Sequence, residues 1–211
     1  MTTDATVFII DDDQEVRQAL ALLFESVGLA TECHPSADAF LASFDPERPG
    51  CLVLDVRMPG MSGLELQARL AAERLHPPVI IITGHGDVPM AVRAVQAGAV
   101  DFLEKPFNDQ ALLDSVHRAL EIDARQRGQA RQLDEIRRRL ASLTPREQEV
   151  MKLVVSGLRN KMIAAELKVS QSTVEAHRAR VMEKMGARTL SDLMRMVLSL
   201  ELAEQSSEGS P

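Results

Sequence analysis

From Thr6 to about Ala119 the chain alternates short apolar runs with segments whose apolar residues recur at helical spacing, and four of these runs stop at polar side chains. Val7-Phe8-Ile9-Ile10 stops at Asp11 and Asp12, Cys51-Leu52-Val53-Leu54 at Asp55, Val79-Ile80-Ile81-Ile82 at Thr83, and Asp101-Phe102-Leu103-Glu104 at Lys105. Unbroken hydrophobicity of this kind suits strands buried on both faces, while Val16, Ala19, Leu20, Leu23 and Val27 trace the inner stripe of an intervening helix. The alternation predicts an α/β unit, a five-stranded doubly wound parallel sheet with strands near 6–10, 29–33, 50–54, 78–82 and 100–103. Ligands bind such sheets in the crevice beyond the carboxyl ends of the strands, so the five polar residues converge.

With 211 residues and 45% hydrophobic content, the chain has room for two small cores. Charge divides it the same way. Residues 1–121 carry 8 Lys and Arg against 19 Asp and Glu, a net of −11, while residues 122–211 carry 16 against 12, a net of +4. The acidic front and basic back point to different partners, nucleic acid for the second. The expected division is a unit over 1–121, a helical linker over 122–142, a second unit over 143–203 and a disordered polar tail over 204–211. No apolar run approaches a membrane span and no leader pattern opens the chain, so a cytoplasmic protein without membrane contact is expected. Cys33 and Cys51 sit in strand-like stretches without metal-ligand spacing and read as reduced core residues.

Two adjacent acids after the first strand suit a hard divalent cation, and a third, Asp55, can both ligate it and attack phosphorus. Magnesium offsets the repulsion between an anionic nucleophile and an anionic donor. The Lys105 ammonium pairs with a phosphoryl oxygen and the Thr83 hydroxyl serves another. Met58-Pro59-Gly60-Met61 turns the chain after Asp55, and Ser62-Gly63-Leu64-Glu65 reads as a capping box. Asp13 falls at the start of the first helix, where an acid favours the helix dipole.

Ile10-Asp11-Asp12-Asp13, Leu54-Asp55-Val56-Arg57-Met58-Pro59-Gly60, Ile82-Thr83-Gly84-His85-Gly86 and Phe102-Leu103-Glu104-Lys105-Pro106-Phe107 together resemble the receiver domains of two-component response regulators over residues 5–121. The resemblance implies that Asp55 accepts phosphate from a sensor histidine kinase. It implies that Asp12, Asp55 and the backbone carbonyl of Arg57 ligate Mg2+, with Asp11 acting through water. Thr83 would swing to the phosphate as Phe102 moves inward, although an ordinary core aromatic also explains Phe102. The Lys105-Pro106 bond is expected cis. His85 either lines the site or is a plain loop histidine; His34, His76 and His117 show no partner pattern.

The second half is helical in pattern, with helices near 145–156, 160–167, 171–185 and 189–201, the first opened by Thr144-Pro145-Arg146-Glu147. Before it, Leu133, Ile136, Leu140 and Leu143 form a narrow apolar seam that either rests on a neighbouring domain or pairs two copies as a coiled coil. Lys168-Val169-Ser170 is a tight turn between two helices, the geometry that lays a second helix in the major groove. Leu143-Thr144-Pro145-Arg146-Glu147, Gly157-Leu158-Arg159-Asn160-Lys161-Met162-Ile163-Ala164 and Ser172-Thr173-Val174-Glu175-Ala176-His177 resemble the all-α, four-helix LuxR-type DNA-binding domain over residues 142–202.

Ile163, Ala164, Leu167, Val169, Val174 and Val181 then form the core. Ser172, Thr173, Glu175, Ala176, Arg178 and Ala179 face DNA, with Glu175, Ala176, Arg178 and Ala179 placed for base edges, while Lys161, Arg180, Lys184 and Arg188 suit phosphates. A solvated charged helix face is the alternative for any one of them.

Receiver plus LuxR-type domain resembles the FixJ/NarL class, and Gly84-His85-Gly86-Asp87-Val88-Pro89 resembles its FixJ-like branch. The implied function is transcription control through promoter double-stranded DNA. Phosphorylation would uncover the recognition helix and expose Val92, Gln96 and Asp101 for homodimer formation; RNA polymerase is a further partner the class allows. Two rivals are a magnesium-dependent aspartyl-phosphate phosphatase and a constitutive DNA-binding protein whose receiver is never phosphorylated. The nucleophile after strand three rather than strand one weighs against the first, the intact acid, Thr and Lys set against the second.

Overall fold

The apolar runs form strands because continuous hydrophobicity needs cover on both faces, and helices supply it. In the computed structural model, which describes residues 5–84, 86 and 88–208, the strands are β1 (Thr6–Ile10), β2 (Ala30–His34), β3 (Gly50–Asp55), β4 (Val79–Thr83) and β5 (Asp101–Glu104). Between and after them run α1 (Gln14–Ser26), α2 (Ala37–Ser43), α3 (Gly63–Ala72), α4 (Val88–Gln96) and α5 (Asp109–Ala141). The sheet is parallel, in the order β2-β1-β3-β4-β5. Its central strands β1, β3 and β4 are buried throughout, with Phe8, Ile10, Leu52, Leu54 and Ile81 packing on one side and Val7, Ile9, Val53, Ile80 and Ile82 on the other.

The chain leaves β1 for β2 on one side and returns to β3 on the other, so the crevice of this topology opens between the ends of β1 and β3. Ile10 pairs with Leu54, which sets Asp11 beside Asp55. Asp55 and Thr83 prove to be the last strand residues rather than the first loop residues, because each still pairs across the sheet, Asp55 with Ile82 and Thr83 with Glu104. Cys33 departs from the core reading: β2 is an edge strand, and its thiol is exposed, whereas Cys51 in β3 is fully buried. Both are free.

The chain divides into two units after Arg127, inside α5 rather than at a separate linker. The reason lies in the turns of α5 beyond Glu121. Asp123 is buried and accepts from Gly50 N at 3.1 Å, and Arg127 pairs with Asp123 while donating to the carbonyls of Pro46, Glu47 and Arg48. These contacts bind α5 to the first unit as far as Arg127.

The second unit holds the end of α5 with α6 (Pro145–Val155), α7 (Asn160–Leu167), α8 (Gln171–Met185) and α9 (Leu190–Glu208). Thr144 and Glu147 cap α6 reciprocally, and Ser170 caps α8. Lys168 takes a left-handed conformation, φ 55°, which makes the α7–α8 turn tight. Ile163, Ala164, Val174 and Val181 are buried there, with Leu167 and Val169 partly so. The seam resolves as an intramolecular one, since Ile136 and Leu143 are buried in this core and Leu133 and Leu140 pack against it.

The tail departs from expectation. Residues 204–208, read as disordered, continue α9, because Glu201-Leu202-Ala203-Glu204-Gln205 are good helix formers and no breaker comes before Gly209. Residues 209–211 lie outside the described residues. Among the described residues no helix is long and apolar enough to cross a membrane.

Candidate functional site

Asp11 and Asp55 meet at the switch point of the sheet, 1% and 5% exposed, with Lys105 reaching in from the end of β5. The Lys105 ammonium donates to Asp11 Oδ2 at 2.7 Å and to Asp55 Oδ1 at 2.8 Å. The other oxygens are also engaged: Asp13 N donates to Asp11 Oδ1 at 2.9 Å and Arg57 N to Asp55 Oδ2 at 2.6 Å. Burial raises the Asp55 carboxyl above its ordinary value, against the opposing pull of Lys105. Burial works on Lys105 in the opposite sense, but its bonds to Asp11 and Asp55 prevail, and its pKa is raised.

Glycine is required behind this site. A Cβ on Gly63 would stand 2.2 Å from the Asp55 carbonyl oxygen, so only glycine lets α3 start this close to the acid, and Ser62 and Glu65 form the expected capping box there. Thr83 is fully buried, and Phe102 is half-buried with its ring against Gly86, where a Cβ would meet Phe102 Cε1 at 3.1 Å. The Lys105-Pro106 bond is cis. Expectations about His85 lie outside the described residues.

Asp12 is not drawn in. It is exposed, and among the described residues no three acidic, histidine or cysteine side chains gather at metal-ligand spacing. Two buried carboxylates already have an ammonium between them, so a third gains nothing from burial in this arrangement. Asp13 is the N-cap of α1, accepting from Glu15 N at 2.8 Å, one position earlier than expected. Sequence reasoning missed two supports of this site. Arg17 Nη1 donates to the Asp11 carbonyl at 2.6 Å, and Glu104 accepts from Gly86 N at 3.2 Å. Neither spacing carries a recognisable signal.

Val92 and Gln96 are exposed on α4, in a face shared with Val88 and Val95. Asp101, at the start of β5, is partly exposed and accepts from Ser115 Oγ at 2.6 Å and from Arg118.

In the second unit α8 keeps Val174, Val181 and Met185 inside and leaves Ser172, Glu175, Ala176, Ala179 and Arg180 exposed, with Thr173 partly covered. Arg178 is half-buried and donates to Asn160 Oδ1 at 2.7 Å. Lys161 and Arg188 are exposed. Lys184 is a correction: its ammonium bonds the buried Glu147 at 2.7 Å and the Ser142 carbonyl at 3.2 Å. It fastens the start of α6, because a buried carboxylate needs a cation and Lys184 is within reach. That bond, with those of Thr144, holds the Glu147 carboxyl down to about 2.

A doubly wound sheet with an acid pair and lysine at its switch point, followed by a helix-turn-helix, defines a phosphoacceptor module joined to a DNA reader. Residues 7–117 match the response regulator receiver domain, and residues 141–197 match the luxR family of bacterial regulatory proteins. The chain belongs to the response regulators, with a LuxR-type DNA-binding domain as its output, and is a transcription factor rather than a classical enzyme.

Within them it falls in the FixJ-like branch. It is 49% identical to nodulation protein W of Bradyrhizobium diazoefficiens, over 98% of this chain and 91% of that protein. It is likewise 49% identical to the transcriptional regulatory protein FixJ of Rhizobium meliloti, over 93% of this chain and 97% of that protein. Among solved structures, the response regulator StyR superposes with a TM-score of 0.85 at 46% identity, covering 92% of this chain and 98% of that one.

Proposed function

We propose that Asp55 is the phosphoacceptor of this regulator and that its phosphorylation by a sensor histidine kinase drives a homodimer onto promoter DNA. The observation that carries the reading is the Lys105 ammonium held at 2.7 and 2.8 Å from the paired carboxylates of Asp11 and Asp55 at the sheet's switch point. An O–P bond forms at an Asp55 carboxylate oxygen as the N–P bond of the donor phosphohistidine breaks. Lys105 then holds a phosphoryl oxygen in place of the Asp55 charge it now faces. Thr83 moves toward the phosphate, and Phe102 moves inward with it.

The donor set is of the kind a small hard cation takes: carboxylates of Asp12 and Asp55 and the Arg57 carbonyl, with Asp11 acting through water. When bound, Mg2+ neutralises charge between acid and phosphoryl group. Dimerisation uses α4 and β5, through Val92, Gln96 and Asp101. Val88 at 76% exposure and Val95 at 59% supply the apolar area that supports this surface. On DNA, Ser172, Thr173, Glu175, Ala176, Arg178 and Ala179 read or approach base edges, while Lys161, Arg180 and Arg188 hold phosphates and a bound dimer engages RNA polymerase. Coupling of this kind is typically about 1–3 kcal/mol, or roughly 5- to 150-fold in DNA affinity.

Labelling with radioactive acetyl phosphate and Mg2+ tests the acceptor. The native protein takes up label, Asp55→Asn does not, and label retained by Asp55→Asn refutes the assignment. Size-exclusion chromatography with beryllofluoride tests the dimer; a monomer that nonetheless gains DNA affinity removes that step.

A further inference from the structure

Asn160 opens α7, where an asparagine ordinarily serves the helix as its cap. Here it does something else. The cap position belongs to Arg159, whose side chain makes no capping bond, and the Asn160 amide turns to α8 instead. Its Oδ1 accepts from Arg178 Nη1 at 2.7 Å, and its Nδ2 donates to Glu175 Oε1 across a longer 3.5 Å. A guanidinium only donates and an ionised carboxylate only accepts, so these partners fix which end of the amide is nitrogen. A primary amide serves both with separate atoms.

Glu175 and Arg178 stand three residues apart on one helix, a spacing at which opposite charges pair. Such a pair would spend the acceptor of one and the donors of the other before any base arrived. In the structure Arg178 bonds the amide instead, and Asn160 and Arg178 are both half-buried beside the exposed Glu175. A carboxylate takes a guanidinium through two parallel N–H groups, whereas the amide oxygen takes one. The fork that suits guanine is left open.

We propose that Asn160 is a specificity-determining positioning residue of the DNA reader: its amide keeps Glu175 and Arg178 from pairing with each other and holds each in place for a base edge. This rests on the reading of α8 above, in which those two side chains meet bases.

Full-length protein treated with acetyl phosphate and Mg2+ first selects its preferred site from random double-stranded DNA, and affinity is then measured for every single-base variant of that site. Arg178→Ala and Glu175→Ala should each flatten the preference at its own base position, by roughly 5- to 150-fold where a bidentate contact is lost. Asn160→Ala should lower the preference at both positions about tenfold, with affinity for scrambled DNA within about twofold of native, because base contacts specify and phosphate contacts do not. Asn160→Asp still accepts from Arg178 but cannot donate to Glu175, so it should keep the first preference and lose the second. It also serves as the test if the alanine variant fails to fold. A native base profile in Asn160→Ala or Asn160→Asp, or a loss equal for all sequences, overturns the proposal and leaves the reading of α8 standing. A native profile in both Arg178→Ala and Glu175→Ala overturns that reading and the proposal with it.

Discussion

In the first unit the side chains that carry chemistry are drawn inward, and in the second they are turned out. Asp11 and Asp55 are almost wholly buried, and all four of their carboxylate oxygens have partners within the unit. Along α8, by contrast, the buried residues are Val174, Val181 and Met185, and Glu175, Ala176, Ala179 and Arg180 lie exposed. Convergence at strand ends leaves each residue one place to be, because pairing fixes where each strand stops. Presentation on a helix fixes a face but not the task of each residue on it, and Lys184, on the same helix, proves to be structural.

Substitutions can break that contrast, in descending order of effect. Asp55→Asn should erase the response of DNA affinity to acetyl phosphate altogether in a fluorescence anisotropy titration, while affinity without phosphate stays at the native level. Ile163→Ala, at a fully buried position of α7, should destabilise the second unit by about 2–5 kcal/mol in chemical denaturation.

Arg178→Ala should cost about 1–3 kcal/mol of discrimination between operator and scrambled DNA. Lys184→Ala should leave the salt dependence of DNA binding unchanged, where loss of a phosphate contact lowers the slope by about one. It should lower the melting temperature of the second unit instead.

Glu147 sharpens the comparison through pH. Its carboxyl is held down to about 2 in the folded state, so its bonds contribute fully above the unfolded value near 4.5. That contribution falls away as pH drops from there through about 2. Acid melts between these values should show the second unit weakening in the native protein and a flatter profile in Glu147→Gln.

The sheet and its site were legible because they rest on order along the chain. Apolar runs marked the strands, their order along the chain marked the switch point, and Asp11, Asp55 and Lys105, each closing a run, come together there. Boundaries slipped by one residue where Asp55 and Thr83 still pair across the sheet. What escaped were contacts made across long separations by residues of ordinary type. Arg17 on the Asp11 carbonyl, Lys184 on Glu147 and Gln67 on the end of α4 have no periodicity, and only the assembled fold puts them within reach.

Arg127 also bears on how the molecule is made. It receives no new turn of its own; it closes one formed 79 to 81 residues earlier, at Pro46, Glu47 and Arg48. On the ribosome the first unit emerges with its sheet order already determined, yet the turn entering β3 stays untied until α5 has been synthesised past the last strand by several helical turns. A fragment cut at residue 121 keeps every strand and every site residue but loses both Asp123 and Arg127, the two side chains that fasten that turn. The shortest piece that keeps both ends at residue 127, within the helix that leads toward the DNA reader.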